Sequence, residues 1–174
     1  LDQWGIITIV HSRSALSVAP VQPATEAQVL ALEVLPNQRA FVGRIDDLLA
    51  DAGNRASCEP MAILLDTRVI GFYCIETCAR VVAPVEFDAP ALGLRGFFLD
   101  AQWQGQGLAR PALAAVIDDV AKRHPAAKLL VLAVGAGNTA ALALYLGAGF
   151  RDSGGRYHGG PAGLQHLLTR RLNN

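Results

Sequence analysis

The feature that most constrains this chain is an apolar, strand-like run that enters a glycine-bearing turn and passes directly into a helix: Phe97-Phe98-Leu99-Asp100-Ala101-Gln102-Trp103-Gln104-Gly105-Gln106-Gly107-Leu108-Ala109. Downstream, Leu113, Val116, Ile117 and Val120 recur at helical spacing, which predicts a helix over Leu108–Arg123 ended by Pro125. Pro111 fits the first turn, where its missing N–H costs no helical hydrogen bond. A helix start presents N–H groups that lack intrahelical partners, at the positive end of the helix dipole. The backbone from Gln104 to Ala109 is therefore suited to a pyrophosphate. Gly-Gln-Gly-Leu-Ala-Arg lacks the third glycine of a dinucleotide fingerprint, and no nucleoside-triphosphate loop motif occurs anywhere in the chain. A turn that uses its glycines only for tight packing remains the alternative.

Around this segment the pattern alternates between helix and strand. Thr25-Glu26-Ala27-Gln28 reads as a capping box, so a first helix is expected from Thr25 to Val34, closed by Pro36. A second, continuous helix is expected over Arg39–Ala52. Phe41, Val42, Ile45, Leu48 and Leu49 form its apolar stripe, Asp46, Asp47 and Asp51 its polar side, and Gly53 its stop. Met61–Asp66 and Val69–Cys78 predict an antiparallel hairpin, Leu94–Asp100 the next strand, and Leu129–Val134 a strand buried on both faces. Asn138–Leu146 predicts a short helix capped by Asn138 and stopped by Gly147, followed by strands at Phe150–Ser153 and Leu164–Arg171. Between those strands, residues 154–163 hold too many glycines for the interior of a regular element.

The order strand, two helices, three strands, helix, strand, helix, two strands predicts an α/β fold: a mixed, mostly antiparallel sheet flanked by about four helices. A chain of 174 residues, 52% hydrophobic and 17% charged, can bury one good core, so one domain is expected over residues 15–174. Residues 1–14 read as an extension, native or left by a processed tag, with Ile6–Val10 a candidate extra strand. Lys plus Arg and Asp plus Glu both number 15, so overall charge gives no attraction to nucleic acid or an anionic membrane. The longest apolar runs are far short of a bilayer span and no secretory signal is visible, which together predict a cytoplasmic protein. Cys58, Cys74 and Cys78 lack the spacing of a zinc site or disulfide framework and read as small hydrophobes; no metal is expected.

A second segment carries chemistry: Asn138-Thr139-Ala140-Ala141-Leu142-Ala143-Leu144-Tyr145-Leu146-Gly147-Ala148-Gly149-Phe150. Seven residues are nearly two helical turns, so Asn138 and Tyr145 share a face about 10 Å apart along the axis and can touch one extended ligand at two points. The alternative for Tyr145 is an aromatic packed against the sheet. Together, Gln104-Gly105-Gln106-Gly107-Leu108-Ala109 and this later segment resemble the two signatures of the GNAT-superfamily N-acetyltransferases. That resemblance implies acetyl-CoA as cosubstrate and direct transfer of its acetyl group to an amine. Its pyrophosphate would be gripped by Gln104, Gly105, Gln106, Gly107, Leu108 and Ala109, its pantetheine arm contacted by Asn138, and its acetyl end held by backbone near Phe98 and Leu99. Tyr145 would be the general acid that protonates the departing thiolate.

Some relatives place a base carboxylate on the strand before the turn. Arg95 occupies that region here, and Glu76 on the preceding strand is the substitute candidate, acting through water. Asp100 reads as a structural turn residue, and His158 and His166 as a loop and a strand histidine with a substrate role as the rarer alternative. Leu32-Glu33-Val34, Pro36, Gln38, Phe41, Val42, Leu48–Ala52 and Val69-Ile70-Gly71-Phe72 further resemble the bacterial spermine/spermidine acetyltransferases. A polyamine needs carboxylates, which Glu33, Asp46, Asp47 and Asp51 would supply unless Arg44, on one helical face with Asp47 and Asp51, neutralises those two. A small-molecule amine is the expected partner. A protein amino terminus, a non-catalytic acyl-CoA-binding module and a homodimer stay open.

Overall fold

Largely apolar runs, suited to burial on both faces, build four antiparallel strands in turn: β1 (Leu16–Pro20), β2 (Cys58–Leu65), β3 (Arg68–Glu76) and β4 (Ala91–Leu99). In this computed structural model, residues 15–158 and 163–172 are described. The extension expected at 1–14, with the strand proposed at Ile6–Val10, lies outside them. The sheet continues with β5 (Leu129–Gly135), β7 (Leu164–Arg171) and β6 (Arg151–His158), giving seven strands in the order β1-β2-β3-β4-β5-β7-β6. Only β4 and β5 run parallel. The β2–β3 hairpin turns at Asp66 (φ 55°), whose carboxylate accepts from the Ala15 N–H at 2.8 Å and whose own N–H donates to the Ala15 carbonyl, which straps β1 to the hairpin.

Helices cover both faces. On one, α4 (Ala109–Arg123) and α5 (Thr139–Gly147) lay Leu113, Val116, Val120 and Tyr145 against Ile63, Ile70, Leu130 and Leu168. On the other, α1 (Pro23–Leu30), α2 (Arg39–Val42) and α3 (Ile45–Asn54) cover Ala62, Phe72 and Phe98, with Val29 and Ala52 as their buried anchors. The α/β class and mostly antiparallel sheet are those expected. Among the described residues no helix is long and apolar enough to cross a membrane.

β2 and β4 each begin three residues before the expected start, at Cys58 and Ala91, and three other elements differ for local reasons. The first helix spans Pro23–Leu30, not Thr25–Val34. Thr25 Oγ1 accepts from the Gln22 N–H (3.0 Å) and donates to the Gln22 carbonyl, so it closes the helix start from inside the first turn. At the far end Glu33 is drawn out of helical geometry, its N–H donating to Asp100 (2.7 Å) and its carbonyl accepting from Ala101. The second helix breaks in two at Gly43, which takes φ 81° between α2 and α3. Val42, Ile45, Leu48 and Leu49 pack on one core despite the break, so their spacing alone does not reveal it. Strand β6 runs through Gly154 and Gly155 to His158. Its register jumps between Asp152 and Arg156, and Gly154 adopts φ 79°, so the glycines accommodate an irregularity within the strand.

The α4 face tests this packing. Leu113 is fully buried and Leu146 is 45% exposed. Leu113→Ala is expected to lower unfolding free energy by about 2–5 kcal/mol, and Leu146→Ala by less than about 1 kcal/mol, in urea denaturation. Equal losses would show that α4 does not carry the core.

Candidate active site

The site begins where the sheet comes apart. Strands β4 and β5 pair only at Ala91↔Leu129, Leu92↔Leu130 and Gly93↔Val131, while the other edge of β4 stays paired with β3 as far as Gly71↔Leu99. Between Cys74↔Arg95 and Phe72↔Phe98 β4 carries one more residue than β3, a bulge with Gly96 at φ 60°. Beyond Gly93 a cavity of about 580 Å³ lies between the diverging strands. Leu94–Phe97 and Leu132–Gly135 form its strand walls, Asn138, Ala141 and Tyr145 line it from α5, and Arg39–Gly43 close over it from α2.

Asn138 and Tyr145 therefore do share one cavity. Asn138 caps α5, its Oδ1 accepting from the Ala141 N–H at 3.2 Å, which leaves its side-chain NH₂ available. Tyr145 is 7% exposed, its ring set edge-on to Phe97 (6.3 Å) and Phe150 (5.7 Å). The phenol makes no hydrogen bond to any described residue. Burial pushes its pKa above the ordinary tyrosine value, so it stays protonated and able to donate throughout the neutral range.

The turn after β4 is held by backbone bonds, Trp103 N–H donating to the Asp100 carbonyl (2.9 Å) and Asp100 N–H to that of Ile70 (2.9 Å), and by side chains as well. Asp100, 4% exposed, accepts from the N–H groups of Glu33 (2.7 Å) and Gln102 (2.9 Å), the structural role its position implies. Gln104 donates to the Leu99 carbonyl (2.8 Å) and pairs through both amide groups with Gln38 (2.9 Å each way). Gly105 (φ 72°) and Gly107 (φ 76°) take conformations that side chains resist, and nothing lies within 4 Å of where a Cβ would stand on either. The backbone N–H groups of Gly105, Gln106, Gly107 and Leu108 donate to no described residue, and they open onto this space at the start of α4. Phe98, Leu99 and the turn itself lie outside the cavity lining, beside it rather than in it.

Glu76 is not the accessible strand-face carboxylate that a base would require. It is wholly buried, with Oε1 bonded by Arg55 and by Arg95 (2.7 Å) and Oε2 accepting from Ser57 (3.3 Å). Asp51 joins the same cluster through Arg55 (3.1 Å) and Arg95 (3.4 Å). A buried carboxylate persists because the guanidinium groups compensate its lost hydration, and sequence spacing gave no sign of this pairing across α3, β3 and β4. Arg95 and Arg39 line the cavity, and the sequence pattern singled out neither as a ligand-facing group. His166 is engaged by Asp152 (2.8 Å), and His158 is exposed at the end of β6. Cys58 and Cys74 are buried outside the cavity and Cys78 is exposed, contrary to the buried role expected for all three.

The geometry is that of an α/β protein with a split sheet beside a glycine-bearing turn that opens a helix. Residues 25–150 match the model of the acetyltransferase (GNAT) family, and the chain belongs to that family of enzymes. It is 26% identical over 153 residues to the uncharacterized N-acetyltransferase YbbJ of Bacillus subtilis (strain 168), covering 88% of this chain and 95% of that protein. It is also 26% identical over 144 residues to the spermine/spermidine N(1)-acetyltransferase of the same organism, covering 80% and 90%. Among solved structures, the aminoglycoside acetyltransferase AAC(6')-Ib in complex with coenzyme A superposes with a TM-score of 0.67 at 16% identity, over 90% of this chain and 95% of that one. At that identity the likeness concerns the fold.

Asp100 is the test of how the turn is held. Asp100→Ala strands two N–H groups beside a buried position and is expected to cost about 2–3 kcal/mol in urea denaturation. A loss below about 0.5 kcal/mol would mean that the turn is fixed by other contacts.

Proposed function

We propose that this acetyltransferase takes acetyl-CoA as its cosubstrate and passes the acetyl group directly to the amine of a small molecule. The observation that carries the reading is the split between β4 and β5, where Tyr145 presents a phenol with no hydrogen-bond partner among the described residues. The four N–H groups from Gly105 to Leu108, without a partner among the described residues, fit a pyrophosphate, and the open space beside Gly105 and Gly107 gives it room. Gln104 shapes that turn through its bonds to Leu99 and Gln38. Ala109 opens α4 and Gln106 bridges back to the Gln102 carbonyl (2.7 Å). Along the opening, the backbone edge of β4 toward Phe98 and Leu99, with the Asn138 amide opposite, suits the amides of a pantetheine arm.

The cosubstrate supplies a thioester, whose carbonyl carbon bonds to the amine nitrogen as its bond to sulfur breaks. Backbone N–H groups of β4 meet the charge that grows on the carbonyl oxygen. Tyr145 gives its phenolic proton to the departing sulfur. The amine must arrive neutral, and the proton it sheds passes to water. Glu76 holds Arg55 and Arg95 rather than taking that proton, because all its contacts are to donors inside the protein. Among the described residues of the lining there is no cysteine, serine or lysine to carry a covalent acetyl group, which favours direct transfer over a two-stage route. A polyamine acceptor is the second reading, supported by the resemblance to the spermine/spermidine enzyme. Tyr145 in the cavity favours turnover over a non-catalytic acyl-CoA-binding module.

Removing only the hydroxyl separates acid catalysis from packing. Tyr145→Phe is expected to keep acetyl-CoA affinity within a few-fold by calorimetry while kcat falls at least about tenfold. An unchanged kcat, with chemistry shown to be rate-limiting, would make Tyr145 a packing residue. Gly107→Val, forced into a positive φ, is expected to do the opposite and weaken acetyl-CoA binding by about tenfold or more.

A further inference from the structure

We infer that the acceptor is a small amine that also bears a carboxylate, the chemistry of an amino acid, and that Arg95 and Arg39 receive that carboxylate. The inference rests on the acetyl-transfer reading above and names its substrate class. Among the described residues lining the cavity, the ionisable side chains are Arg39, Arg95 and Tyr145; no carboxylate is among them. The acids that would suit a polyamine are not in this lining. Asp46 and Asp47 pair with Arg44, Asp51 pairs with Arg55 and Arg95, and Glu33 and Asp46 border a neighbouring cavity of about 630 Å³ that meets this one at Arg39 and Gly43.

Arg95 is built to present a cation. Its Nη1 is bonded to Glu76 and Asp51, which fixes the guanidinium plane, while its side chain keeps 33% of its surface exposed. A guanidinium carries five N–H donors in a planar fork, so the group is anchored on one side and free to bind a carboxylate on the other. Arg39 is exposed at the rim, and its guanidinium has no ion pair among the described residues. The lining, whose uncompensated cation among the described residues is Arg39 because Glu76 and Asp51 balance Arg55 and Arg95, offers no carboxylate to the second ammonium group that every polyamine carries. It also disfavours the charged form of the reacting amine, so an amine anchored through its carboxylate is biased toward the neutral nucleophile with no carboxylate base in the cavity.

The test uses the full chain, acetyl-CoA and matched acceptors, scored by coenzyme A release. The acceptors are amino acids against their amides, 5-aminopentanoate against 1,5-diaminopentane, and spermidine and an aminoglycoside. The best acceptor is expected to carry a carboxylate, and its amide to lose about tenfold or more in kcat/KM. Arg95→Gln and Arg39→Gln are each expected to raise KM for the carboxylate acceptor and to shrink the carboxylate-to-amide ratio toward one. The wild-type ratio stands even if Arg95→Gln fails to fold. Equal or better turnover of amides, diamines, spermidine or the aminoglycoside would overturn the inference and leave the transfer reading intact. So would a loss of acetyl-CoA affinity in Arg39→Gln or Arg95→Gln, because it would assign the guanidinium to the cosubstrate's phosphates. Acetyl-CoA binding with no release to any acceptor would overturn both readings.

Discussion

The rest of the molecule depends on one interrupted hydrogen-bond ladder. Three residue pairs hold β4 to β5, and then the strands part at Gly93. Glycine is required at that fork because a side chain there would begin 2.4 Å from Val82 Cγ2, on the turn that packs across the strand. Buried backbone groups normally pair, so a sheet that gives up its central ladder carries a cost that a ligand lying between the strands can offset. The bulge at Gly96 belongs to the same device. It lets β4 stay bonded to β3 on one edge while its other edge faces the cavity.

The split is held open from both faces. On one, Tyr145 lies between Phe97 and Phe150 as part of the core that α4 and α5 form against the sheet. On the other, α2 and α3 bring Val42, Ile45, Leu48 and Leu49 down on the core around Phe72 and Phe98. The break at Gly43 places Phe41 over the cavity, with its ring 3.9 Å from where a side chain on Gly137 would begin. The pyrophosphate-suited turn is tied to the same assembly, since Asp100 reaches back to Glu33 and Gln104 to Gln38. The end of β4 and the turn are thus tied to the same helical layer.

Much of this was legible in the residues. The turn from Gln104 to Ala109 follows from two glycines before a helical period, and the shared face of Asn138 and Tyr145 follows from their spacing of seven. The α/β class follows from the order of helices and strands, and the β2–β3 hairpin from the short link at Asp66 and Thr67. The helix break at Gly43 was hidden because apolar residues on both sides of it still meet one core. The strand through Gly154 and Gly155 was hidden because glycine content reads as loop when the partner strand that accommodates it is unknown. The burial of Glu76 was hidden for a stronger reason. Its partners Arg55 and Arg95 come from other elements, and the charge on a strand residue says nothing of the guanidinium groups that fold against it.

The central claim is that one ligand occupies both the split in the sheet and the turn beside it. Amide hydrogen exchange, followed by mass spectrometry with and without saturating acetyl-CoA, tests it most directly, because the N–H groups of Gly105 to Leu108 have no described partner to protect them. The account expects acetyl-CoA to slow exchange together in peptides covering residues 94–110 and 132–145. Protection confined to the outer surface of α1 to α3, with β4, the turn and α5 unaffected, would contradict it.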